Sequence, residues 1–305
     1  MASAKSWVSA MRLRTLPLSL SGIITGSAIA YFNGYWDWII FGLSMLTTIL
    51  FQIVSNFAND LGDGVKGTDN KDRVGPARAV QTGAISQKSM RNAVILTSLL
   101  SAGSAGALIY FGVQGMSPNV GLFYAGLAVL CIVAAITYTV GKRAYGYHGL
   151  GDIMVFIFFG LVSVMGVYSL YAKSIDLLNI MPATCIGLLS AAVLNLNNMR
   201  DYANDAKSGK KTLVVKMGPN NAKMYHTLIL LLAMISMASF LGKLGDARLF
   251  LALLPAGILV IHLRKVMQTT DVKEFDPELK KVALATFALS LFLFGVMAWV
   301  KLTTI

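Results

Sequence analysis

The sequence predicts an all-α integral membrane protein: nine transmembrane helices around a central cavity, arranged as two four-helix halves plus one helix. Three observations carry this. The 305 residues are 56% hydrophobic and only 13% charged, with a mean hydropathy of +0.66, far from soluble usage. The uncharged residues come in long runs, and ~20 residues at 1.5 Å each cross a ~30 Å hydrocarbon core. The basic residues, finally, fall almost wholly on one side of a chain that alternates across the membrane.

The spans follow in order. Uncharged runs at 15–36 and 38–59 supply the first two. The amino end carries Lys5, Arg12 and Arg14 before an apolar run, as a secretory signal does, but the run is too long and no small-residue cleavage site follows. It reads as a first, retained helix. The run at 92–141 holds two crossings, broken by the turn-rich GVQGMSPN at 112–119. Runs at 153–172, 177–199, 224–242, 249–263 and 282–300 complete the nine. Cys131 and Cys185 fall inside spans and read as small apolar packing residues. His148, His226 and His262 read as too scattered to form a metal site, and none is given a catalytic role.

A formal charge of +12 raises the question of nucleic acid, and its distribution answers it. With the amino end cytoplasmic, that face carries 3 Lys/Arg at the amino end, 6 within 60–91, 2 at 142–143, 6 within 200–223 and 5 within 264–281. The other face has only 4. This is the positive-inside pattern, so the expected partner is the lipid bilayer, with no nucleic acid. The carboxyl end is expected outside, and residues 1–305 are expected to form a single transmembrane domain.

Ten of the 14 acidic residues cluster in three places. NFANDLGDGVKGTDNKD at 56–72 holds Asp60, Asp63, Asp69 and Asp72. NLNNMRDYANDAKSGKKTL at 195–213 holds Asp201 and Asp205. The stretch at 264–281 mixes its four acids with five bases and reads as a solvated connection without a site role. In the first stretch Asn56, Asn59, Asp60 and Asp63 stand at i, i+3, i+4 and i+7, one face of a helix continuing out of span two. Asn197, Asp201, Asn204 and Asp205 make the same kind of stripe out of span six.

Both stripes offer oxygen and neither offers His or Cys. Such donors suit Mg²⁺, which takes one or two carboxylates and shares its other positions with water and substrate phosphate. If the two halves close on a common axis, the stripes meet at one cavity mouth, where facing carboxylates need cations between them. Lys66, Lys71, Arg73 and Arg78 follow the first stripe, and Arg200, Lys210 and Lys211 flank the second. Lys142 and Arg143, in the glycine-rich YTVGKRAYGYHGLGD at 138–152, sit on the same face. Such donors hold a leaving diphosphate and stabilise its charge.

Other assignments fail on spacing. An EF-hand requires acids at alternating positions and a terminal Glu, which 60–72 lacks. Asp60-x-x-Asp63-Gly64 shares the opening of the CDP-alcohol phosphotransferase signature, but the Ala-Arg and later paired aspartates of that signature are missing. A cation transporter is not excluded in this way and stays the less favoured alternative, because it would more naturally place its carboxylates near the bilayer midplane, whereas these lie at one face.

Together with RLRTLPLSLSGIITGSAIAY at 12–31 and GPARAVQTGAIS at 75–86, these stretches resemble the intramembrane aromatic prenyltransferases of the UbiA superfamily. The resemblance implies a bacterial inner-membrane enzyme that transfers a polyprenyl group from polyprenyl diphosphate to an aromatic acid. A naphthoate is the expected acceptor, with 4-hydroxybenzoate and homogentisate as alternatives. It implies Mg²⁺ on Asp60, Asp63, Asp201 and Asp205, with Asn56, Asn59, Asn197 and Asp69 completing the two motifs. Lys142 and Tyr138 match the family's Tyr-x-x-x-Lys arrangement against the diphosphate. Arg12 matches the arginine near the acceptor's carboxylate. Arg78 departs from many relatives, which leaves its contact open, and Arg143 and Arg200 join the binding set. Tyr138, Phe156, Phe158, Phe159 and Tyr168 are the expected aromatic walls around a developing allylic cation.

Overall fold

Length and apolarity alone give nine helices able to cross a bilayer among the described residues, which are 2–70 and 73–304 of a computed structural model. They are α1 (Ala4–Phe32), α2 (Trp38–Lys66), α3 (Gln87–Gly112), α4 (Pro118–Thr137), α5 (Gly151–Ala172), α6 (Leu177–Lys207), α7 (Pro219–Leu244), α8 (Ala247–Gln268) and α9 (Val272–Thr304). Lys71 and Asp72, counted above with the first cluster, lie outside the described residues. Helix accounts for 82% of the chain, with no strand among the described residues.

Local chemistry sets the helix ends. Asp37 caps α2 by accepting from the backbone N–H groups of Ile39 and Ile40 at 2.7 and 3.1 Å. Ser86 caps α3 in the same way, and Pro118 opens α4 where no N–H is needed. The chain breaks α1 at Arg12, whose φ of +50° is costly for a side-chain-bearing residue. The break separates a short helix, Ala4–Met11, from the spanning piece, Leu16–Phe32. Trp7 of the short helix packs edge-on against Phe57 of α2, with ring centroids 5.6 Å apart.

The middle of α5, Phe156–Gly166, is wound as a π-helix, a form that concentrates at functional sites. The first part of α8 is a 3₁₀ helix containing Pro255, which suits the shortest uncharged run in the chain.

α1 to α4 pack in succession, with α2 lying along α3 and touching α1 and α4. α5 to α8 do the same, with α6 gripped between α5 and α7. α9 closes the bundle against α1, α6 and α8, and α1 meets α5. The main buried core therefore draws mostly on α1 and α5 to α9, with Ile40 of α2 and Leu108 of α3, while a smaller one lies under the amino-terminal helix around Phe57, Ile85 and Met90. α3 and α4 expose Leu96, Leu99, Leu122 and Phe123, as expected of helices with lipid for solvent.

The 264–281 stretch is not a solvated connection. α8 and α9 extend into it, leaving only 269–271 between them, and its residues reach the site described below. Two of the three histidines meet in the core. His226 and His262, from α7 and α8, meet Nε2 to Nε2 at 2.8 Å, and His262 Nδ1 lies 2.6 Å from Glu278 Oε2 of α9. All three are fully or almost fully buried. They brace the back of the bundle, and no cluster of three or more His, Cys, Asp or Glu able to hold a metal is found among the described residues.

Candidate active site

The two acidic stripes do come together. Both motif helices are followed by glycines in the left-handed region, Gly67 and Gly209, each with φ +73°. The first turns 68–70 back under α2, and Asn204 of α6 ties it down by donating to the Thr68 carbonyl at 2.8 Å. The second folds Lys210 against its own helix, its N–H bonded to the Asp205 carbonyl at 2.9 Å.

Lys210 Nζ consequently stands 3.8 Å from Asp63 Oδ2 and 3.9 Å from Asp205 Oδ1, one carboxylate from each motif. Burial works against its charge, but Asp63 and then Asp205 outweigh it and hold its pKa above the ordinary lysine range. Tyr147 donates to Asp63 Oδ1 at 2.8 Å, and its carbonyl accepts from the Lys211 N–H at 3.1 Å. The 145–148 turn thus spans the two motifs.

Asp201 has a different partner. Arg200 grips it with Nε and Nη2 at 3.0 and 2.8 Å, and the same Nη2 donates to Asn197 Oδ1 at 2.7 Å. Arg73 Nη2 approaches Asp201 from the loop after α2, at 3.6 Å. Arg73 Nε also lies 3.0 Å from Asp69, whose second oxygen faces Arg78 Nε at 3.8 Å. Burial raises the Asp69 carboxyl above the usual range, although Arg73 and Arg78 oppose it. Burial, with Arg12 and Arg73 alongside, draws Arg78 well below the usual arginine range.

Not every residue read from the sequence stands here. Asp60 is 1% exposed, and its two oxygens accept from the backbone N–H groups of Ala79 and Val80, both at 3.1 Å. It faces a smaller recess behind Arg12 and Arg78 rather than the main cavity. Three residues along a helix turn a side chain by some 60°, enough to give Asp60 and Asp63 different neighbours. Asn56 lines the cavity but is engaged with the Met11 carbonyl at 2.8 Å, bracing the break in α1. Asn59 also lines it, accepting from Thr139 at 3.3 Å. Lys142 and Arg143 are exposed and line neither cavity, because the positive-φ turn at Gly141 carries them outward. Lys210, Arg73 and Asp276 take the central cationic and supporting places instead.

The main cavity has a volume of about 400 Å³ and is charged at one end only. Its mouth carries Asp63, Asp201, Asp205, Arg12, Arg73 and Lys210. Its depth is lined by α3, α4 and the π-wound part of α5, including Leu108, Leu127, Phe158 and Val162. Of the expected aromatic walls, Tyr138, Phe158 and Phe159 line it; Phe156 packs on Gly187, and Tyr168 is buried against Asn33. Burial pushes the Tyr138 phenol up to about 12, so it remains a hydroxyl donor at neutral pH. Arg12 Nη2 is buried with no hydrogen-bond partner among the described residues. Asp276 of α9 accepts from Arg200 at 2.5 Å, and Leu279 lines the cavity.

The donors fit Mg²⁺ of one kind. Asp63, Asp201, Asp205 and Asn197 offer only oxygen to one cavity mouth, yet no three acids converge as a complete cage among the described residues. Oxygen donors of this kind suit Mg²⁺, which takes one or two carboxylates and leaves positions for substrate phosphate.

An all-helical, multi-pass membrane bundle with two acidic helix ends at the polar mouth of an apolar cavity defines the class: the chain belongs to the UbiA prenyltransferase family, which it matches over residues 19–279. It is 44% identical, over 95% of its length and 96% of the relative's, to the 1,4-dihydroxy-2-naphthoate octaprenyltransferase of Escherichia coli K12. It is 48% identical to that of Haemophilus influenzae, over 77% of each chain. Among solved structures the fold matches a UbiA homolog from Aeropyrum pernix K1 with a TM-score of 0.68 and 17% identity, covering 95% of this chain and 99% of that one. It also matches a UbiA homolog from Archaeoglobus fulgidus bound to DMAPP and Mg²⁺, with a TM-score of 0.62 and 16% identity, covering 94% and 98%.

Proposed function

We propose that this chain transfers a polyprenyl group from polyprenyl diphosphate to 1,4-dihydroxy-2-naphthoate, releasing diphosphate and carbon dioxide and giving a demethylmenaquinol. The observation that carries the chemistry is the polarity of the main cavity: cations and carboxylates at the mouth, mostly apolar side chains in the depth. A prenyl diphosphate has the same division. The identity of the acceptor rests on the relatives at 44% and 48% identity.

Asp63, Asp201, Asp205 and Asn197 would hold Mg²⁺, which when bound neutralises the diphosphate and stabilises it as a leaving group. Arg12, Arg73, Arg78 and Lys210 donate to the diphosphate oxygens, and Asp60 holds the 79–80 backbone so that Arg78 keeps its place. The allylic C–O bond breaks with cationic character and its electron pair leaves with the diphosphate; the electron-rich ring attacks through carbon, and the carboxylate leaves as carbon dioxide, its electron pair restoring the aromatic ring. Tyr138, Phe158 and Phe159 keep water from the cation and offer it their ring faces. The polar mouth faces the cytoplasm across a bacterial inner membrane, with the carboxyl end outside, a placement supported by the basic residues of that face. The whole of 1–305 acts as one transmembrane unit.

The test is the purified protein in detergent with a polyprenyl diphosphate, Mg²⁺ and a panel of aromatic acids, products read by mass. Prenylated naphthoquinol formed with loss of carbon dioxide is the expected result. Transfer to 4-hydroxybenzoate or homogentisate alone overturns the acceptor, and no product from folded protein overturns the reaction.

A further inference from the structure

Lys210 belongs to neither acidic stripe, yet it occupies the space between them. It reaches one carboxylate of α2 and one of α6 at nearly equal distances, 3.8 and 3.9 Å. Both exceed the 2.7–3.2 Å of an N–H···O hydrogen bond, so the ammonium is shared between Asp63 and Asp205 rather than bound to either. The side chain is 9% exposed, which leaves little water to replace those partners. A metal bridging the two motifs needs the same carboxylates, and two cations cannot share them at close range.

We propose that Lys210 is the resident counter-cation of the two acidic motifs, and that it yields its place to metal only when a diphosphate arrives to accept it. This rests on the metal–diphosphate reading of the site. Metal alone would displace a buried ammonium and leave it without a carboxylate, which is unfavourable. Metal with diphosphate offers the same ammonium new anionic oxygens within reach of its flexible stem. The two ligands therefore bind cooperatively, and each is held poorly without the other. By linkage the coupling is reciprocal, and such couplings typically amount to 5–150-fold.

The test uses purified protein in detergent, with Mn²⁺ as the metal probe and radiolabelled inorganic pyrophosphate as the anion. Mn²⁺ binding is measured without pyrophosphate, and pyrophosphate retention is measured at saturating Mn²⁺. In Lys210→Met the expected changes are opposite in sign: Mn²⁺ alone binds roughly tenfold tighter, and pyrophosphate is retained roughly tenfold less well, within the usual range of such couplings. Lys210→Arg keeps the charge and should hold both affinities near the parent. A melting curve checks folding, and Lys210→Gln replaces Lys210→Met if the latter does not fold. Loss of both affinities together, or Mn²⁺ bound no tighter, overturns the proposal. Failure of the parent to retain pyrophosphate even with Mn²⁺ overturns the diphosphate reading itself, independently of Lys210.

Discussion

Arg200 and Asp276, 76 residues apart in sequence, meet at 2.5 Å, joining the second motif to the first turn of α9. The same guanidinium grips Asp201 and Asn197. Arg200 is therefore oriented from behind by an acid that does not line the cavity. Asp276 is 43% exposed at its side chain, so solvent screens the pair and its energetic worth is modest. Asp276→Asn is expected to lower kcat/KM by roughly three- to tenfold with little change in melting temperature, matching about 1 kcal/mol of lost orientation. Initial rates at several diphosphate concentrations check this. Rates equal to the parent's would remove Asp276 from the site.

Asp60 and Asp63 should respond differently to the same isosteric change. Asp63→Asn, like Asp201→Asn, is expected to lower transfer by at least roughly a hundredfold while leaving folding intact, because the lost charge faces the diphosphate. Asp60→Asn should also unfold more easily, by about 1–3 kcal/mol, because one backbone N–H of 79–80 loses its acceptor. Paired melting curves and rates separate the two. Equal melting temperatures for both variants would contradict the assignment of Asp60 to the loop.

Removing divalent metal with a chelator is expected to stop transfer and leave the fold standing. The carboxylates at the mouth already have cationic partners in Arg73, Arg200 and Lys210. Added Mg²⁺ should restore the rate. A large drop in melting temperature on chelation would instead mark the metal as structural.

The His226–His262–Glu278 chain predicts a loss of stability without loss of chemistry. His262→Ala removes one partner of the buried Glu278 carboxylate, which Lys281 still holds, and one partner of the buried His226 ring, a change worth about 1–3 kcal/mol. The enzyme that remains folded should turn over at the parent's rate, since none of the three lines the cavity. A fall in the rate per folded molecule would give the chain a functional role.

The sequence revealed the bundle because a membrane leaves few alternatives: each crossing demands an uncharged run, and charge marks the side. It revealed the stripes because helical periodicity fixes which residues share a face. Periodicity stops there. Asp60 and Asp63 share a face, and only the 79–80 backbone, brought in by a distant loop, distinguishes them. Lys210 was one basic residue among many on a face that topology makes basic anyway, and its seat depends on the turn at Gly209. Lys142 and Arg143 looked equivalent to it and are exposed. The meeting of His226 and His262 rests on the packing of α7 against α8, for which no local pattern exists.

The cavity holds about 400 Å³, less than a long polyprenyl tail needs. On the prenyl-transfer reading the protein would grip only the carbons nearest the diphosphate, and the rest would trail among acyl chains. Such a pocket would inspect the head of its donor and not the length behind it. On that reading the number of isoprene units in the product would be set by the donor that the membrane supplies, and not by this pocket.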